Sequence, residues 1–290
     1  MDKRPPDILI GVFRGCRLAL HFLCGMLLAI FYPHLSHNRQ RRILKTWSRQ
    51  LLDILNIGIR TEGQRLVRGE SGCLVVANHV SWLDIFVLNA VYPSRFIAKA
   101  EVRNWPFIGW LCKRSGTIFI ERAIRQDASS VNLRVSALLK HGVCVGLFPE
   151  GATTDGKQVG HFHSALIQPA IDAGARLCPI ALRYHDEAGE LSAAAAFTGD
   201  TTLAQSIRQI LCCRHLNALV VFNPALIAAG ENRRVLARAA QEAISQGLQK
   251  IAAMQQVPKQ QTTPAIPQAL LSAQSGYASL VLPLPDRLSK

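Results

Sequence analysis

Short apolar runs alternate with longer amphipathic stretches through the middle of the chain. The stretches with helical spacing are 85–91, 125–140 and 164–174. Six apolar runs have the length and composition of strands: 73–77, 95–99, 117–121, 143–148, 177–182 and 218–222. Because their apolar residues are consecutive, these runs predict strands that are covered on both faces. The pattern therefore predicts an α/β fold, a mostly parallel or mixed sheet flanked by helices.

The start of the chain has a different pattern. Residues 8–32 are mostly apolar, but Arg14, Arg17 and His21 interrupt them and leave 22–32 as the longest uninterrupted run. That run is shorter than the about 20 residues that cross a bilayer unaided. A basic start before an apolar run is also typical of a signal peptide, but no A-x-A cleavage site follows it.

A basic amphipathic helix is predicted over residues 39–55. Leu44, Trp47 and Leu51 recur at helical spacing among five cations. Such a helix can lie at a lipid interface, or it can pack on the protein's own core with a solvated basic face. Because an apolar segment precedes it, we expect the first alternative, with residues 1–60 forming membrane-associated helices.

Composition adds an excess of positive charge to this picture. The chain has 33 Lys+Arg against 19 Asp+Glu, a net charge of +14, which favours anionic partners such as acidic lipid or an acidic carrier protein. Nucleic acid would require base-stacking aromatics or a reading motif beside the charge, and the sequence has neither. We therefore expect an anionic membrane surface as a partner and no nucleic acid.

The domain organisation follows from these patterns. An α/β domain is expected over residues 61–253, after the N-terminal helices. Residues 254–290 are rich in Gln, Pro, Ser and Thr without periodicity and are expected to be disordered. The eight cysteines contain no C-x-x-C pair, which favours a reducing compartment.

The segment NHVSWLD, which directly follows one predicted strand, contains His79 and Asp84. In one interpretation Ser81 is the N-cap of a helix beginning near it, and Asp84 completes a capping-box-like pair. In the other, the Asp84 carboxylate bonds one nitrogen of the His79 ring, fixes its tautomer and leaves the other nitrogen free to take a proton from a hydroxyl. Both can hold, because one carboxylate oxygen can accept from the backbone and the other from the ring.

Three further segments, GTIFIER, LFPEGATTDG and LCPIALRY, contain predicted strands or their ends. Together with NHVSWLD they have the order and approximate spacing of the glycerolipid acyltransferase family, which includes bacterial 1-acylglycerol-3-phosphate acyltransferases. The chain resembles that family over about residues 73–222 and more loosely to about 245. Four ordered blocks make the resemblance specific, whereas the His and Asp spacing alone does not.

The resemblance implies a mechanism. His79 would act as general base on the acceptor hydroxyl, and Asp84 would orient it. The activated oxygen would attack an acyl thioester of coenzyme A or acyl carrier protein, which is a co-substrate, so no cofactor is expected. No metal is expected either, because His161 and His163 lack an acidic or cysteine partner at ligand spacing.

The resemblance also implies an acceptor site. Arg122 would hold the acceptor phosphate, Lys99 would face the head group, and Glu150 with Gly151 would take part in acceptor binding. The chain departs from many phosphatidate-forming members at Thr153, where they have arginine. A hydroxyl can still bond phosphate, but a full charge is missing. The altered loop also resembles bacterial relatives that acylate lyso-ornithine lipid.

We therefore expect an O-acyltransferase that moves a fatty acyl chain to the free hydroxyl of a lysolipid. 1-Acyl-sn-glycerol 3-phosphate is the first acceptor and lyso-ornithine lipid the alternative. The cytoplasmic face of the inner membrane is the expected location. A catalytically silent lipid-binding protein is the rival from another class, although nothing about tethering requires these blocks together. A serine hydrolase would have a G-x-S-x-G elbow, which the sequence lacks.

Overall fold

A mixed sheet with helices on both faces forms the centre of the molecule. The computed structural model describes residues 8–64, 72–121 and 125–256. The strands in these ranges are β1 Ile57–Glu62, β2 Cys73–Ala77, β3 Arg95–Lys99, β4 Ile118–Ile120, β5 Val145–Leu147, β6 Arg176–His185, β7 Leu216–Phe222 and β8 Leu226–Ile227. The helices are α1 Ile8–Phe31, α2 His37–Ile54, α3 Leu83–Val91, α4 Ile108–Arg114, α5 Arg125–Lys140, α6 Gln168–Ala173, α7 Leu203–Cys212 and α8 Arg233–Gln256.

The strand order is β1-β7-β6-β2-β5-β3-β4, with β8 paired to the start of β6. The five strands from β6 to β4 are parallel, β7 is antiparallel to β6, and β1 is parallel to β7. The predicted α/β fold with a mixed sheet is confirmed. Because the five parallel strands end at one edge, the segments that follow them meet there, and we call this the carboxyl edge.

The six predicted strands are all present, and β2 and β3 have the predicted bounds. The pattern missed β1, which lies at the edge of the sheet and whose second half, residues 60–62, is polar. Pairing with β7 along its whole length, from Ile57 opposite Leu216 to Glu62 opposite Val221, holds it in place. The predicted division between residues 60 and 61 falls inside this strand.

Two apolar clusters cover the two faces of the sheet. In β2, Val75 and Ala77 contribute to the cluster under α2, α3 and α7, while Leu74 and Val76 contribute to the cluster under α5, α6 and α8. Every residue of β2 is buried. Consecutive apolar residues therefore predicted a doubly covered strand correctly, because alternate side chains point to opposite faces.

Helix α2 packs on the protein's own core. Leu51, Leu52 and Leu55 from its apolar stripe are buried, and Trp47 packs against the same cluster. The expectation that this stripe lies at a lipid interface is therefore corrected. The second alternative is the observed one, since α1 and α3 cover the stripe while cations such as Lys45 stay exposed.

Helix α1 is continuous through its polar residues, of which Arg14 and His21 lie on its packed side and Arg17 is exposed. The buried guanidinium of Arg14 donates to the backbone carbonyls of Leu211, Cys213 and Arg214 at the end of α7. The His21 ring stacks on Trp47 at 4.7 Å. Apart from Arg17 the outward side is mostly apolar, and by length and composition alone the helix over Ile8–His34 is able to cross a membrane.

The C-terminal tail lies almost entirely outside the described residues. Helix α8 ends at Gln256, so the first three residues of the predicted tail are helical. The predicted disorder of 257–290 stays a prediction.

Candidate active site

The segment after β2 is anchored by Asn78, a buried residue that sequence reasoning passed over. Its side-chain amide donates to the carbonyl of Leu182 at 2.8 Å and accepts from the N–H of the same residue at 2.8 Å. This pair joins the end of β2 to the middle of β6. The position of His79, the next residue, is therefore set by two neighbouring strands.

His79 and Asp84 form the predicted pair. Nδ1 of His79 lies 2.8 Å from Oδ2 of Asp84. The same oxygen accepts the backbone N–H groups of Val80 at 2.7 Å and Ser81 at 3.0 Å. Asp84 therefore bonds the ring and the turn at once, although with one oxygen and not with two as expected. Helix α3 begins at Leu83, and the predicted N-cap at Ser81 is wrong, because Asp84 itself satisfies the backbone of that turn.

Tyr184 supplies the second oxygen of Asp84 with a donor. Its hydroxyl donates to Oδ1 at 2.8 Å from β6, and both side chains are buried. Burial, and then the nearby charge of Asp84, raise the pKa of Tyr184 well above its ordinary value, so the phenol stays a donor. Within the described residues Asp84 thus accepts four hydrogen bonds, which is the bonding of a carboxylate.

An aromatic stack fixes the orientation of the His79 ring. Its centroid lies 3.9 Å from that of Phe148, with 6° between the ring planes, and Phe96 stacks behind Phe148 at 5.6 Å. The side chain keeps 19% exposure, and among the described residues the second ring nitrogen, Nε2, has no hydrogen-bond partner. Since Nδ1 donates to a carboxylate, Nε2 carries the lone pair that can take a proton.

The loop after β5 holds the backbone of His79 from the other side. Thr154 donates to the His79 carbonyl twice, from its N–H at 2.7 Å and from its hydroxyl at 3.1 Å. The hydroxyl of Thr153 donates to the Phe197 carbonyl, and the Phe197 N–H bonds Val80. The Thr153 proton is therefore directed at backbone, and the assignment of this residue to acceptor binding stays a prediction.

Glu150 and Gly151 form the turn that begins this loop. Gly151 has a φ of 79°, a left-handed conformation that favours glycine. Glu150 makes no full hydrogen bond through either carboxylate oxygen among the described residues. Burial raises its pKa to about 7, the nearby N–H groups of Gly160 and His79 partly offset this, and the charge of Asp84 adds to it. The carboxylate oxygens of Glu150 are therefore buried beside the His79 backbone without a full hydrogen bond.

Lys99 belongs to the same edge by topology. Lys99 ends β3 and is exposed, and β3 lies two strands from β2, roughly 10 Å at ordinary strand spacing. Arg122 lies outside the described residues, and its place beside the acceptor phosphate stays a prediction. The described part of the edge thus brings together His79, Asp84, Glu150 and Gly151, with Lys99 further along.

Comparisons with known proteins match the part of the chain that contains these residues. The model of the family described as Acyltransferase matches residues 58–183, which include His79, Asp84 and Glu150. The 1-acyl-sn-glycerol-3-phosphate acyltransferase of Neisseria meningitidis is 39% identical over 223 residues, 77% of this chain and 86% of that protein. The lyso-ornithine lipid O-acyltransferase of Pseudomonas aeruginosa is 35% identical over 205 residues, 71% of this chain and 78% of that protein.

One solved structure shares the fold. The crystal structure of the 1-acyl-sn-glycerophosphate acyltransferase from Thermotoga maritima superposes with a TM-score of 0.64 and covers 85% of this chain and 96% of that chain. Sequence identity in this comparison is 19%, so the likeness establishes the architecture alone.

Proposed function

The chain belongs to the Acyltransferase family, and from this premise we propose that it moves a fatty acyl chain from a thioester to the free hydroxyl of 1-acyl-sn-glycerol 3-phosphate. The observation that carries this proposal is the accessible Nε2 of His79, whose other ring nitrogen is bonded to a buried carboxylate at 2.8 Å. A base held in this way at the end of a strand suits proton removal from a lipid alcohol.

The chemistry divides into two proton movements around one displacement. Nε2 of His79 takes the proton of the acceptor hydroxyl as the oxygen attacks the thioester carbonyl carbon. The new C–O bond forms, the C–S bond breaks, and the thiolate leaves as a thiol with the proton that His79 returns. Asp84 stabilises the imidazolium between these steps. General base catalysis of this kind supplies about 10²- to 10⁴-fold in rate.

The acceptor site is proposed from the loops of the carboxyl edge. Arg122 and Lys99 are the cations that we assign to a phosphate, and Glu150 with Gly151 are assigned to the glycerol side. The donor is coenzyme A or acyl carrier protein, each of which is anionic and suited to a chain of net charge +14.

A second acceptor, lyso-ornithine lipid, is favoured by the loop after β5. Residues 150–156 contain no arginine or lysine, so this loop offers a phosphate no charge. Glu150 supplies a carboxyl without a full hydrogen bond in the same loop, and an ornithine amine is a group that a carboxylate binds. A carboxylate at Glu150 therefore favours binding of lyso-ornithine lipid and disfavours binding of a phosphate-bearing acceptor.

We place the enzyme on the cytoplasmic face of the inner membrane. The outward side of α1 exposes large apolar residues including Leu9, Phe13, Leu20 and Leu27, which suit contact with lipid. The packed side of α1 is bonded to α7 through Arg14, so an α1 that enters lipid carries the sheet with it.

A direct assay tests both acceptors. Purified protein is given a labelled acyl thioester with lysophosphatidate, glycerol 3-phosphate or lyso-ornithine lipid, and the acylated product is identified. We expect acylation of lysophosphatidate and its loss in His79→Ala with the fold unchanged by circular dichroism. Turnover retained in His79→Ala contradicts the proposed base, and acylation of lyso-ornithine lipid alone replaces the first acceptor by the second.

A further inference from the structure

Three large aromatic residues stand out from the surface just beyond β3. Trp105, Phe107 and Trp110 are 41%, 72% and 42% exposed, and we call this group the aromatic knob. All three follow the 3₁₀ helix Ala100–Asn104; Trp105 and Phe107 precede α4, and Trp110 lies within it. Single exposed apolar residues are ordinary on proteins, but three large ones within six positions form a patch that indicates a binding surface.

The backbone at the centre of the knob has an uncommon conformation. Phe107 has a φ of 60° and a ψ of −48°, and the N–H of Ile108 bonds the carbonyl of Pro106 at 2.6 Å, which makes a tight γ-turn. A bulky residue is rarely found in such a turn, because the turn strains its backbone. Here the turn exposes the apolar ring of Phe107 to solvent.

Positive charge surrounds the knob. Between residues 99 and 114 the chain has four cations, Lys99, Arg103, Lys113 and Arg114, against a single acid, Glu101. The first three of these cations are exposed. Aromatic rings beside basic side chains are typical of protein segments that lie at the head-group level of an anionic bilayer.

The knob is joined to the apolar side of α1. Arg114, at the end of α4, donates to the carbonyls of Ala29 at 3.0 Å and Ile30 at 2.6 Å, and its guanidinium lies 5.8 Å from the Trp110 ring. The neighbouring outward residues of α1, Leu27 and Phe31, are exposed. The knob therefore continues an apolar surface that we already assign to lipid.

We propose that the aromatic knob inserts into the interfacial layer of an anionic bilayer and holds the carboxyl edge against it. The knob begins within a few residues of the end of β3, on the same edge as His79, so a lysolipid reaches the base without leaving the membrane surface. This inference rests on the proposed function for the identity of the lipid. The insertion itself is measured without turnover.

Tryptophan quenching measures the insertion in the full chain. The protein is bound to vesicles of phosphatidylglycerol and phosphatidylcholine with brominated acyl chains, and its emission is compared with that on unbrominated vesicles. We expect quenching in the wild type and its loss in Trp105→Phe/Trp110→Phe, which keeps aromatic rings and still binds the vesicles. Trp47 and Trp82, which pack against the core, remain as internal references. Bound wild-type protein without quenching overturns the proposal.

Activity supplies a second readout with a matched control. Phe107→Ser and Leu133→Ser each remove an apolar side chain that is 72% exposed, and Leu133 lies on α5. We expect Phe107→Ser to lower acyl transfer about tenfold on vesicles and to leave the rate in detergent micelles unchanged. Leu133→Ser should leave both rates unchanged. Equal loss in vesicles and micelles, or a raised KM for acyl carrier protein alone, contradicts membrane docking by the knob.

The two experiments fail independently. If the protein acylates none of the lysolipids offered, the proposed function is wrong while the quenching result still decides the insertion. If acylation is present and quenching is absent, the proposed insertion is wrong while the proposed function stands.

Discussion

The carboxyl edge and the outward side of α1 differ in whether the chain satisfies its own side chains. At the edge, the buried carboxylate of Asp84 receives four donors from residues as far along the chain as Tyr184. On the outward side of α1, large apolar residues such as Leu20 and Leu27 are exposed. The hydrogen bonding of Asp84 is complete within one molecule, whereas the chain leaves the apolar residues on the outward side of α1 uncovered.

The same contrast exists within α1 itself. Its inward side buries Arg14 against three backbone carbonyls and Leu18 against the core. Charge on one side of a helix and apolar surface on the other is the reverse of an ordinary soluble surface helix. The difference is therefore between the inward and outward surfaces of the protein, since one helix contains both.

The largest effect is expected at Asp84, in the carboxyl edge. Asp84→Asn keeps the shape of the side chain but replaces an acceptor of four hydrogen bonds by an amide, which disturbs the tautomer of His79. We expect kcat to fall by about 10²- to 10⁴-fold. Steady-state acyl transfer by the purified variant measures this. Asp53→Asn, on the exposed side of α2, is the matched control and should keep the wild-type rate. Wild-type activity in Asp84→Asn contradicts the proposed role of this carboxylate.

Substitutions on the outward side of α1 should change the affinity for membranes and not the catalytic step. Leu20→Glu/Leu27→Glu replaces two exposed leucines, each of which stabilises lipid contact by about 1.5–3 kcal/mol when buried. We expect binding to anionic vesicles to weaken at least about 100-fold. Vesicle sedimentation gives the affinity, and Leu133→Glu on α5 serves as the control. Unchanged sedimentation contradicts the assignment of this surface to lipid.

Tyr184→Phe tests whether the hydrogen bond from Tyr184 to Asp84 contributes to catalysis. It removes one hydrogen bond to a charged acceptor, worth about 1.5 kcal/mol, so kcat should fall about tenfold while KM for the acceptor is unchanged. Kinetics at varied acceptor concentration separate the two constants. Tyr92→Phe is the control, because Tyr92 is also buried but its hydroxyl lies 3.2 Å from Cys73. An equal loss in both variants indicates a general packing effect.

The smallest effect is expected in stability at Glu150. Its folded-state pKa of about 7 lies above the ordinary 4.5, so the folded protein binds this proton more tightly than the unfolded chain. Stability from this group is present below pH 4.5 and is lost as pH rises through about 7. Glu150→Gln should therefore raise Tm at pH 8 by about 2–4 °C and leave it nearly unchanged at pH 4. Thermal unfolding at both pH values tests this, with exposed Glu187→Gln as the control.

Sequence reasoning succeeded where the information is local. The six buried strands could be predicted because consecutive apolar residues suit a strand covered on both faces, and the pair of His79 and Asp84 could be predicted because both lie in one turn. β1 was missed because its polar residues are tolerated only at a sheet edge. The burial of the α2 stripe was missed because its periodicity is the same whether protein or lipid covers it.

The sequence alone therefore determined the buried strands, the order of the strand-end motifs and the pairing of His79 with Asp84, because these follow from periodicity and short spacings. Only the tertiary structure decided that Tyr184 completes Asp84, that Phe148 stacks on His79 and that Asn78 bonds Leu182. Each of these contacts joins residues that are far apart in the sequence. Chain folding brings such residues together through sheet order, which no local spacing specifies.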